Sequence, residues 1–314
     1  MTDPTSLFHS VISLPDNVRA DRYARLVGLD PVKARLRKEA AVLADPMMLS
    51  KWAAKNHPKV KPDDQSFTLL KDRAPLLLFA GDVGSGKSAL AESFGCDLAT
   101  HLGTEVELWR LKLSTRGSGH VGEMTGLISS AFEEITSEAK LGRNYSTGKV
   151  SKVTIMVIDE ADALVQSREA TQMHHEDRAG VDAFLAAIDS LAGSGIPLLV
   201  VMCTNRLAAL DPAVKRRAAA TFDFGRPNED QRRQVISTAF ENYELAYDTI
   251  EKLVMATGPQ GPDRCGFTYS DLTQRLLPTA ILAAFPDAAI TADLLLAVAA
   301  DLGPTPAFND RASA

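Results

Sequence analysis

The stretch LLLFAGDVGSGKSALAESF, residues 76–94, runs from an apolar segment through a knot of glycines into alternating small and apolar residues. Within it GDVGSGKS fits the pattern G-x-x-x-x-G-K-[ST] at Gly81, Gly86, Lys87 and Ser88, with Val83, Ser85 and Ala89 completing the loop and the turn after it. Such a loop converges its backbone N–H groups on phosphate oxygens, which requires residues without a Cβ at Gly84 and Gly86. The helix expected to follow points the positive end of its dipole at the same anion. Lys87 is then expected to reach the β- and γ-phosphates of a nucleotide, and Ser88 to offer its hydroxyl to Mg2+.

Outward from this loop, residues 76–80, 106–113, 153–158 and 198–203 and a weaker 221–224 are nearly continuous apolar runs, as expected for parallel strands covered on both faces. Helical spacing at 88–102, 124–140 and 181–192 falls between them. The predicted fold is therefore α/β, a doubly wound parallel sheet of five strands. After Pro227 only helical patterns follow, at 229–242, 249–256, 270–285 and 291–301, with Asn228 and Ser270 as expected N-caps and GPQGPDRCG as a break. The expected organisation is an N-terminal extension at 1–25, a large α/β subdomain at 26–226, a small helical subdomain at 227–303 and a tail at 304–314.

At 314 residues, 45% hydrophobic and 24% charged, the chain has material for a sizeable core. A net charge of −6 weighs against a general attraction to nucleic acid or an anionic membrane. Cys96, Cys203 and Cys265 are far apart with no CxxC pair, so neither a disulfide framework nor a zinc cage is expected, and a reducing cytoplasm fits. No basic leader with an apolar core and no run of about 18 apolar residues stands in the chain, so neither export nor membrane insertion is expected.

VTIMVIDEAD, residues 153–162, carries Asp159 to the C-terminal edge of the expected sheet, where it can hold the water shell of Mg2+. Glu160, one residue on, can orient or deprotonate an attacking water. A capping carboxylate beside a solvated one is the alternative reading of this pair. LLVVMCTN, residues 198–205, ends on Asn205, placed either between γ-phosphate and water or in a plain turn. The reaction class that follows is Mg2+-dependent hydrolysis of a nucleoside triphosphate.

Together with LVGLDPVKARLRKEA at 26–40, ALDPAVKRRA at 209–218 and GFTYSDL at 266–272, these motifs resemble the AAA+ ATPases in order and spacing over about residues 25–300. The resemblance implies ATP and Mg2+ as cofactors, Val27 and Gly28 against the adenine, Asn205 as the sensor-1 residue and the helical C-terminal part as a lid. Arg216 and Arg217 occupy the place of an arginine finger, an always-charged donor reaching the γ-phosphate of a neighbouring subunit. That implies a ring, usually of six copies. The family's sensor-2 arginine is not evident in GFTYSDL, where Ser270 stands near its place.

STRGSGHVGEMTG, residues 114–126, looks like the first pore loop of peptide-threading rings, with His120, Val121 and Gly122 as the gripping triplet and no aromatic. His174, His175, Glu176 and Asp177 lack the spacing of a metal site, and none is expected there. Within the superfamily the chain is most similar to the pachytene-checkpoint branch, whose members remodel HORMA-domain proteins, and to its compact bacterial members found with anti-phage cyclic-oligonucleotide signalling. The implied function is ATP-driven remodelling of a HORMA protein that controls a second-messenger synthase. A nucleic-acid-handling ATPase such as a clamp loader is the alternative, and a nucleotide-gated scaffold with negligible turnover a third.

Overall fold

Four apolar runs lie side by side in a six-stranded sheet. The computed structural model describes residues 7–61, 64–112, 123–165, 175–243, 245–261 and 264–307. Its strands are β1 (Phe8–Leu14), β2 (Leu76–Gly81), β3 (Glu105–Leu111), β4 (Lys152–Ile158), β5 (Leu198–Thr204) and β6 (Ala220–Phe224), ordered β1-β3-β4-β5-β2-β6. β3, β4, β5 and β2 pair in parallel, with Met156 opposite Val200 and Leu77 opposite Val201. Every residue of β5 is buried, and so is all of β4 after Lys152. That double-sided burial is why these runs are continuously apolar rather than alternating.

The chain forms two compact units, one comprising Met1–Ala24, Pro31–Ala80 and Ser88–Phe222, the other Arg25–Asp30, Gly81–Lys87 and Asp223–Ala314. In the larger unit the helices Glu123–Leu141 and His175–Leu191 place Phe132, Ile135, Phe184 and Ile188 in one core cluster with Met156 and Val200 of the sheet. The Phe132 and Phe184 rings meet edge to face with centroids 5.6 Å apart. Burying each such ring contributes roughly 1.5–3 kcal/mol, so this cluster fixes the helices on the sheet.

Three local expectations are corrected. Among the described residues the sheet has six strands, not five, because FHSVISL forms β1, antiparallel to β3. Only Phe8 and Leu14 of that strand are buried, and its register shifts between Phe8 and Val11, so no alternation marks it in the sequence. The helix expected over 88–102 is two, Lys87–Ala91 and Phe94–Leu102, parted where Ser93 Oγ donates to the Ala89 carbonyl at 2.6 Å. Ser270 makes no capping bond. Thr268 takes that role: its Oγ1 accepts the Asp271 N–H at 3.0 Å while Asp271 Oδ2 accepts the Thr268 N–H at 2.9 Å.

The smaller unit is helical: Glu229–Ala239, Tyr247–Ala256, Leu277–Ala284 and Ala292–Leu302 surround a core that includes Ile236, Leu253, Leu276 and Leu295. Asn228 caps the first of these in a reciprocal capping box with Gln231, as its residue type predicted. Among the described residues no helix is long and apolar enough to cross a membrane.

Candidate active site

At the end of β2 the chain turns where a side chain has no room: a Cβ on Gly81 would overlap the Phe224 carbonyl. The loop then closes on itself. Ser85, 1% exposed, donates its hydroxyl to the Asp82 carbonyl at 2.7 Å, and the 6% exposed Lys87 brings its Nζ within 3.0 Å of the Gly81 carbonyl and 2.7 Å of that of Asp82. The ammonium is thus held by two backbone carbonyls of the loop. Val83, by contrast, is exposed at the loop tip, its N–H donating to Asp82 Oδ1 at 2.8 Å.

Gly84 sits at φ +70°, and a Cβ there would lie 2.8 Å from Thr268 Oγ1 and 2.9 Å from Ser270 Cβ. The Ser270 N–H donates to the Gly84 carbonyl at 3.0 Å, so the residue in the sensor-2 place meets the loop through its backbone. Arg226 adds a brace, Nε to Asp82 Oδ2 at 2.7 Å and Nη1 to the Gly266 carbonyl at 2.5 Å. Val27 packs against the helical core, and the Gly28 carbonyl accepts from Gln231 Nε2 at 2.7 Å. Burial, with the charge of Asp30, pushes the nearby Tyr269 hydroxyl up to about 12.

In the larger unit Ser88, next in the chain after Lys87, donates its hydroxyl to Asp159 Oδ1 at 3.1 Å. The same oxygen accepts the Glu160 N–H at 3.0 Å. Glu160 is exposed and sits at φ +53°, the one left-handed non-glycine among the described residues. That conformation costs about 1–2 kcal/mol for an L residue, so the strand end is held against its own preference. Just beyond, Asp162 Oδ1 accepts from Thr204 Oγ1 at 3.0 Å, tying this turn to the end of β5. Ile158 pairs with Met202 in the parallel register, so Asp159 and Glu160 leave β4 beside the segment that carries Thr204 and Asn205. The half-buried Asn205 side chain hydrogen-bonds no described residue.

Ala89 lies half-buried in the first turn after the loop, and Gly86, at φ +96°, lines its last bend. Arg217 is engaged within its own unit: Nε lies 2.5 Å from Asp189 Oδ1 and Nη2 2.8 Å from Oδ2, a pairing that lowers the Asp189 pKa. Arg216 is exposed and forms no ion pair with a described residue. His120, Val121, Gly122 and His174 lie outside the described residues, and no metal-sized cluster of ligating side chains occurs among those described.

Sequence reading missed the Asp82–Arg226 brace, the Thr268–Asp271 box and the Asp162–Thr204 bond, each joining residues remote or differently placed in the chain. Only Arg226, standing before Pro227 at the end of the sheet region, carried a positional hint.

A glycine-lined loop around a buried ammonium suits a phosphate chain, and a hydroxyl converging on a carboxylate is an all-oxygen donor set of the kind a hard divalent cation takes. Residues 77–226 match the family model described as "ATPase family associated with various cellular activities (AAA)". The chain is also 48% identical over 305 residues, 97% of each chain, to CD-NTase-associated protein 6 of Escherichia coli strain MS 115-1. The chain belongs to the AAA ATPase family. It is accordingly a nucleotide-binding ATPase. Among solved structures, this AAA ATPase is similar to a chain of the E. coli MS115-1 HORMA:CdnC:Trip13 complex, with TM-score 0.91, 45% identity and 98% and 99% of the two chains covered. It is also similar to Rhizobiales Trip13, with TM-score 0.75, 41% identity and 96% and 100% covered. The doubly wound sheet followed by a helical unit is the fold these relatives share.

Proposed function

We propose that this AAA ATPase hydrolyses Mg·ATP in a ring of its own copies, usually six, and spends each cycle opening a HORMA-domain protein that controls an anti-phage second-messenger synthase. One observation carries the reading: the end-to-end match, at 45% identity and TM-score 0.91, to a chain solved in complex with a HORMA protein and CdnC.

Each side chain has a chemical part. Lys87 neutralises the β- and γ-phosphates, over backbone donors that the glycines at 84 and 86 leave unobstructed. Ser88 and Asp159, whose side chains already meet, would hold Mg2+, which would offset the charge on the phosphates. Glu160, exposed at the strand end, accepts the proton of the attacking water, and Asn205, just after the neighbouring strand β5, orients that water. Val27 and Gly28 seat the adenine. Of the two candidate fingers Arg216 reaches the neighbouring copy, because Arg217 is already spent on Asp189. His120, Val121 and Gly122 are assigned to the pore loop that grips the client.

The test is a trap. Glu160→Gln, loaded with Mg·ATP and captured from its host, is expected to hold a HORMA-fold protein that mass spectrometry identifies and that the unmodified enzyme releases. Recovery of nuclease-sensitive complexes with no protein client would overturn the reading in favour of a clamp-loader type.

A further inference from the structure

Arg110, near the end of β3, lies two positions before the level of Asp159, since it pairs with Val157 of β4. Its Nη2 is 3.9 Å from Asp159 Oδ2, within Coulombic reach yet too long for a hydrogen bond. The other arm explains the gap: Nη1 is 3.1 Å from Glu92 Oε1. Glu92, whose side chain is 17% exposed, is itself held by Arg22 Nη1 at 3.0 Å on its second oxygen. Four alternating charges therefore run Arg22, Glu92, Arg110, Asp159.

A guanidinium beside an accessible carboxylate ordinarily closes to a two-pronged pair near 2.8 Å. Arg37 does this with Asp97, at 2.7 Å on both arms. Arg110 does not, although Asp159 Oδ2 is near.

We infer that Arg110 is a restrained competitor of a divalent cation for the carboxylate of Asp159, and that Glu92 is the tether that keeps Arg110 from occupying the oxygen the cation needs. Held there, the guanidinium leaves that oxygen open. Released, it closes on Asp159 and competes with the cation. The inference rests on the assignment of Ser88 and Asp159 as Mg2+ ligands.

Binding of Mn2+ to the protein with a non-hydrolysable ATP analogue, followed by electron paramagnetic resonance, reads the effect without turnover. Glu92→Gln is expected to weaken Mn2+ binding by about 5- to 10-fold, the scale of one water-screened charge contact at about 4 Å. Adding Arg110→Gln to it is expected to restore binding. Arg110→Gln alone should bind Mn2+ about two- to threefold more tightly, and Arg110→Lys, which keeps the charge, should resemble the unmodified protein. These last two variants leave Glu92 and its bond to Arg22 in place, so they decide the matter even if Glu92→Gln does not fold. Unchanged or weaker binding in Arg110→Gln, or a double variant as weak as Glu92→Gln, overturns the inference. If the unmodified protein shows no divalent-dependent ATP hydrolysis, the assignment of the site fails instead.

Discussion

Arg217 grips Asp189 with both arms, at 2.5 and 2.8 Å, while its neighbour Arg216 projects from the same short helix without an ion pair to any described residue. Adjacent arginines with the same charge thus have different commitments. Arg216→Ala is expected to lower turnover of the assembled protein by on the order of 10³-fold with nucleotide affinity kept, the effect of losing a finger supplied in trans. Arg217→Ala should cost under about 1 kcal/mol in thermal unfolding, since the pair is part-exposed, and spare most of the turnover. The opposite pattern would reassign the finger.

Glu160 combines a strained backbone with an exposed carboxylate. Glu160→Gln should retain ATP and slow turnover by at least about 100-fold, as expected when a general base is lost. Glu160→Gly should lose turnover equally and yet gain about 1 kcal/mol of stability, because glycine enters the left-handed region without penalty. Denaturant unfolding checks this, and a destabilised Glu160→Gly would mean the backbone is not strained there.

Gly84→Ala meets both a left-handed φ and the Thr268 hydroxyl at 2.8 Å. Loss of about 1–3 kcal/mol is expected, with ATP affinity falling in equilibrium titration because the loop must shift. Gly103→Ala is the comparison: φ is +64° but nothing lies within 4 Å, so only the conformational cost of about 1 kcal/mol should appear and ATP binding should be unaffected.

Burial pushes the Asp271 carboxyl up, but donation by the Thr305 hydroxyl and backbone, by the Thr268 N–H and by Arg275 more than offsets it and leaves the group at about 2, below the ordinary 3.8. A carboxylate whose pKa is lower folded than unfolded stabilises fully above its unfolded pKa, and that stability is lost as pH falls from 3.8 through about 2. The difference corresponds to about 2 kcal/mol. Urea unfolding at pH 5 and pH 2.5 should show this loss, and Asp271→Asn should remove that part of the pH dependence; an unchanged slope would count against the pairing.

The candidate site of this protein was legible in its sequence wherever one short segment supplies several of its residues. GDVGSGKS carries its glycines, its lysine and its hydroxyl in consecutive order, and VIDE brings Asp159 and Glu160 out on a strand whose apolar run marks it as central. Buried parallel strands advertise themselves because both faces must be apolar. β1 did not, since an edge strand with two buried residues and a register shift leaves no period to read. Nor could the sequence show that Arg217 pairs with Asp189, that Arg226 braces Asp82 across 144 residues, or that Arg110 pairs with Glu92 and stays 3.9 Å from Asp159. Those outcomes depend on which partner each long side chain finds in space. A guanidinium has the same charge and reach wherever it stands in a chain, so only the packing of distant elements decides whether it is spent, tethered or free.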